Sequence, residues 1–95
     1  MLDPKYTQQL INAELAPFGL SVVWDGNEPE QGEAARFYVC TEDDDTDFVL
    51  WDQYDSTDIM ARDGRDCWHC HGYATSYTAL APLLAEIVSD THVAI

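Results

Sequence analysis

Residues 39–58 read VCTEDDDTDFVLWDQYDSTD, and the fold is best read outward from them. Two apolar runs with strand character, Phe37 to Cys40 and Phe48 to Trp51, flank a tip made of Glu42, Asp43, Asp44, Asp45 and Asp47. Asp52, Asp55 and Asp58 follow, so 8 of the 18 acidic residues fall within 41–58. No Lys or Arg occurs between Arg36 and Arg62. Apolar runs of four to eight residues on either side of a polar tip are the pattern of an antiparallel hairpin. So much charge of one sign repels itself, and the apolar faces of the two strands must hold the element together.

Upstream, Asp3-Pro4 is a helix start, with Asp3 as cap and Pro4 at the first helical position. Tyr6, Leu10, Ile11, Ala13, Leu15 and Phe18 recur at three- and four-residue steps, which predicts a helix over about 4–16. Pro17 and Gly19 end it. Residues 20–25 (LSVVWD) read as a strand. Residues 25–33 are a polar loop broken by Gly26, Pro29 and Gly32. A second strand over 34–41 turns Phe37 and Val39 one way and Arg36, Tyr38 and Cys40 the other.

Downstream, a third strand runs from about Phe48 to Tyr54. The Asp63-Gly64 pair is a turn signal joining a short strand at 59–61 to one at 66–70. Tyr77, Leu80, Leu84 and Ile87 or Val88 share a helical face, with Thr75 or Ser76 as cap. Pro82 interrupts that run, so the helix is expected to kink or to begin near Ala81, and the tail 91–95 to fray. The expected fold is a single α+β domain over 1–95. It has a small antiparallel sheet of three or four strands, with an N-terminal and a C-terminal helix on one face.

Composition narrows the function. An apolar fraction of 46% with 12% aromatics supplies one core, and the net charge of −14 is the extreme feature. A field of that sign repels nucleic acid and anionic membranes and attracts basic partners. No run approaches the ~18 apolar residues of a membrane span, and the N-terminus lacks the pattern of a secretory signal. Three Cys cannot pair completely, so the expectation is a cytoplasmic protein with reduced thiols.

Cys67-Trp68-His69-Cys70-His71 contains CxxCH, the pattern of covalent haem attachment, but that chemistry belongs to an exporting compartment. A thioredoxin-type CxxC needs a βαβ setting, and here a strand hairpin precedes the motif. Zinc is the better chemical alternative, with Cys67, Cys70 and His71 as ligands and His69 and distant Cys40 as further donors. A second half-site is lacking, and buried cysteines beside surface histidines explain the residues without metal. A calcium loop starting at Asp43 needs Gly at its sixth position and Glu at its twelfth, where Phe48 and Tyr54 stand. With no nucleophile elbow, zincin, phosphate-loop or dinucleotide motif, the expectation is a protein that is not an enzyme and holds no cofactor.

Successive same-face carboxylates on a strand lie about 6.6 Å apart, comparable to phosphates along a nucleic-acid backbone. A ridge of Glu42, Asp43, Asp44, Asp45, Asp47, Asp52, Asp55 and Asp58, with Trp51 and Tyr54 as aromatic anchors, would suit a basic surface that binds DNA or RNA. In size, charge and fold class the chain resembles the small acidic inhibitors of phages and mobile elements, including anti-CRISPR and anti-restriction proteins. The resemblance implies a nucleic-acid mimic that blocks a partner's channel. It carries over no residue roles. Besides zinc, the alternative is an acid-rich housekeeping protein of a high-salt cytoplasm.

Overall fold

The computed structural model describes residues 3–27, 34–43, 45–53, 56–62 and 68–93. Helix α1 (Pro4–Leu15) starts where Asp3 accepts a hydrogen bond from the Lys5 amide at 3.1 Å. It buries Thr7, Ile11 and Leu15 at steps of four, the face that a 3.6-residue repeat brings to one side. A 3-10 turn, Ala16–Phe18, follows, and Gly19 reverses the chain at φ 71°, a conformation that costs a residue with Cβ about 1 kcal/mol or more.

Five strands then form one antiparallel sheet in the order of the chain: β1 (Leu20–Trp24), β2 (Ala35–Thr41), β3 (Asp45–Asp52), β4 (Thr57–Arg62) and β5 (Trp68–Ala74). Helix α2 (Tyr77–Val93) closes the chain, its start capped by the Ser76 hydroxyl, which accepts from the Ala79 amide at 3.1 Å. Ile11 and Leu15 of α1, and Leu80, Ala81, Leu84 and Val88 of α2, join one core cluster with Leu20, Val22, Phe37, Val39, Phe48, Leu50, Ile59 and Ala74. Registration places those strand residues opposite one another on a single face (Val22–Val39, Phe37–Leu50, Leu50–Ile59). Both helices therefore cover the same side of the sheet.

The α+β architecture with helices at both ends agrees with expectation; the strand count does not. β4 and β5 are full strands, so among the described residues the sheet has five strands rather than three or four. β3 begins at Asp45, not Phe48, because Thr46 ties the acidic segment to β2: its hydroxyl donates to the Val39 carbonyl at 2.8 Å and accepts from the Phe48 amide at 3.1 Å. β5 continues past Cys70 to Ala74. Pro82 neither delays α2 nor stops it: the helix starts at Tyr77 and runs through Val93, into the tail expected to fray. The Asp63-Gly64 turn lies outside the described residues.

The edge strand β1 is finished by α1 rather than by another strand. The Asn12 side chain donates to the Val22 carbonyl at 3.1 Å and accepts from the Val22 amide at 2.7 Å, as a neighbouring peptide would. Gln8, one turn earlier, accepts from the Trp24 amide at 2.9 Å.

Candidate functional site

The acids singled out by sequence separate into three places. Glu42 and Asp43 are exposed in the connection between β2 and β3, and Asp45 and Asp47 are exposed at the start of β3. These four form one acidic end of the sheet. Asp45 accepts a weak hydrogen bond from the Cys40 thiol at 3.4 Å, and the register of β2 against β3 shifts here. The acidic end is thus a pinned strand terminus. Glu42 and Asp43 also border a shallow cleft of about 460 Å³ whose apolar wall is Phe18, Leu20 and Val88.

Asp58 stands at the opposite end of the sheet, paired with Trp51 across β3–β4, half-buried and accepting from the Gln53 amide nitrogen at 2.8 Å. Six residues of strand separate Asp45 from Trp51, roughly 20 Å. Asp52 belongs to neither end. It lies on the helix-covered face, between Ala35 and Thr57, where Thr57 Oγ1 donates to one oxygen at 2.8 Å and Tyr77 OH to the other at 2.9 Å. Burial raises the Asp52 carboxyl above its ordinary value, and the two hydroxyl donors oppose that rise. Tyr77 is pushed up in turn, by burial and by the Asp52 carboxylate. Asp52 is a structural clamp from the sheet to α2, and a continuous ridge running through it does not form. Asp44 and Asp55 lie outside the described residues, as does Tyr54.

The face of the sheet away from the helices is the feature that sequence reasoning missed. Registration lines up Val23, Tyr38, Val49, Met60 and Cys70 across all five strands. Beside that row runs another: Arg36, Trp51, Asp58 and Tyr73. Val49 and Met60 are buried although they stand outside the main core cluster. Trp51 and Trp68 meet on this side, centroids 5.5 Å apart at 60°, and the Arg36 guanidinium lies over the Trp51 ring at 4.9 Å. Trp51 Nε1 is buried with no hydrogen-bond partner among the described residues. Val23, Tyr38 and Tyr73 remain 51%, 53% and 65% exposed. Trp51 is therefore neither a main-core residue nor a bare anchor. The alternation of Arg36, Tyr38 and Cys40 is the available signal; Tyr73 lies in the part of β5 beyond the expected strand end at residue 70.

The zinc alternative gains little from the geometry. Cys70 is exposed, its thiol 3.4 Å from the Gly72 carbonyl that it donates to. His71 sits where the β4–β5 register shifts, its ring edge-on to Phe48 at 5.4 Å. Burial and Asp45 push the Cys40 thiol up. Among the described residues no three His, Cys, Asp or Glu side chains converge as a metal site would require. Cys67 lies outside them. No described helix is long and apolar enough to cross a membrane.

No protein-family model, curated protein or solved structure matches this chain.

Proposed function

We propose that this chain is a non-enzymatic binding protein whose acidic end occupies a basic, nucleic-acid-binding surface of a partner protein, in the manner of the anti-CRISPR and anti-restriction inhibitors it resembles in size and charge. The observation that carries the reading is the convergence of Glu42, Asp43, Asp45 and Asp47, all exposed, on one strand terminus held by Thr46. Carboxylates fixed on a strand keep their spacing without the ordering cost that a flexible acidic tail pays on binding. A partner that holds phosphates with Lys and Arg offers such a terminus the same contacts. Direct binding to nucleic acid is disfavoured by the net charge of −14. The place of action is the cytoplasm of the cell that contains the partner.

The test is capture from host lysate at about 0.1 M and about 0.5 M salt, where screening shortens the reach of charge. Wild-type bait runs beside a variant with Asp43, Asp45 and Asp47 changed to Asn. We expect one nucleic-acid-binding complex on the wild-type bait, weakened by salt, absent from the variant and displaced by added competitor DNA or RNA. Equal capture by both baits, or indifference to the competitor, defeats the reading.

A further inference from the structure

The acidic end accounts for charge, but it leaves unexplained the face beside it, which neither described helix covers. Both helices lie on the other side of the sheet, yet Val23, Tyr38 and Tyr73 are more than half exposed across this one. Asp45 and Asp58 stand at its two ends. In the row that ends in Asp58 and Tyr73 the face already holds one guanidinium: Arg36 lies over Trp51, 4.9 Å from the ring centroid. That distance is within the ~6 Å reach of a cation–π contact.

We infer that this open sheet face docks an arginine-rich surface of a protein partner, with incoming guanidinium groups stacking on Tyr38 and Tyr73 and pairing with Asp45 and Asp58. The inference rests on the proposed function and gives that reading its specificity. Tyr38 and Tyr73 lie in adjacent rows on different strands, so two rings are offered on one surface and each row contains or borders an acid. Arginine suits this better than lysine. Its planar group stacks and pairs with a carboxylate in one geometry, whereas an ammonium acts as a strongly hydrated point charge. Nucleic acid does not fit, since its phosphates would meet Asp45 and Asp58. A second copy of the chain fits no better, because it brings the same net charge of −14 and the same acids to the contact.

The experiment titrates the isotope-labelled 95-residue chain with an oligoarginine peptide and with oligolysine of equal length at low salt, recording amide shifts. It is repeated on Tyr38→Ala/Tyr73→Ala, on Tyr38→Phe/Tyr73→Phe, and on the variant with Asp43, Asp45 and Asp47 changed to Asn. Oligoarginine should bind more tightly than oligolysine and shift amides at Val23, Tyr38, Asp58 and Tyr73. The alanine pair should weaken oligoarginine about fivefold and erase the preference, with the phenylalanine pair restoring it. Both tyrosines are more than half exposed, so the alanine pair keeps the fold, which its unshifted core amides report. Equal affinity for the two peptides, no effect of the alanine pair, or shifts confined to the helices would overturn the docking face while leaving the acidic end standing. Undiminished binding of both peptides by the Asn variant would instead remove the proposed function itself, and with it the pairing assigned to Asp45.

Discussion

At Asp52 charge and packing oppose each other. Its carboxylate receives the hydroxyls of Thr57, only 3% exposed, and of Tyr77, so Asp52→Ala strands two donors. We expect that change to cost about 1–3 kcal/mol in urea unfolding. Asp52→Asn retains polar partners for both hydroxyls and removes the charge. Because burial raises the folded carboxyl above its ordinary 3.8, the folded state binds this proton more tightly than the unfolded chain. The stabilisation from protonation is complete below that ordinary value and is lost as pH rises through the raised one. Wild type should therefore lose Tm relative to Asp52→Asn over mildly acidic pH, the two curves running parallel once the carboxyl is ionised. A constant difference across that range would contradict the assigned burial. No sequence pattern marks Asp52 off from the other acids, because its role depends on a tyrosine 25 residues away.

Among the elements, the most local signals were legible and the cooperative ones were not. Asp3-Pro4 and the Ile11/Leu15 spacing state α1 outright, and LSVVW states β1. At β3 the five acids of the tip hide a strand start that Thr46 creates through contacts to β2. At β5 the exposed His69, Cys70 and His71 break the apolar alternation by which a strand is recognised, so its extension to Ala74 is not legible. Pro82 is exposed, so its ring faces water and the packing of Leu80, Ala81, Leu84 and Val88 carries the helix through. The pairing of Asn12 with Val22 was invisible, since an amide on a polar helix face looks like any solvated residue. Its consequence is measurable. Asn12→Ala leaves both polar backbone groups of buried Val22 without their side-chain partner, and we expect about 1–3 kcal/mol of destabilisation. Alanine favours the helix itself, so a neutral or stabilising result would mean that the amide does not close this edge.

For the whole molecule, 18 acidic residues against four Lys and Arg make compaction electrostatically costly. Salt relieves this by screening, so Tm should climb between about 0.05 M and about 0.5 M NaCl. Each kcal/mol regained corresponds to about 4–8 °C for a domain of this size. A flat Tm would show that the fold has already compensated its charge, and a chain that unfolds outright at the lower salt would point instead to a protein adapted to brine. The two tryptophans that meet on the open face have a further use. Trp51 and Trp68 are close and tilted enough for their indole transitions to couple, while Trp24 packs against the core on the other side of the sheet. The molecule thus contains an optical gauge of one of its own surfaces. Anything that settles there disturbs the coupled pair, and circular dichroism registers the event without a dye, a tag or a label.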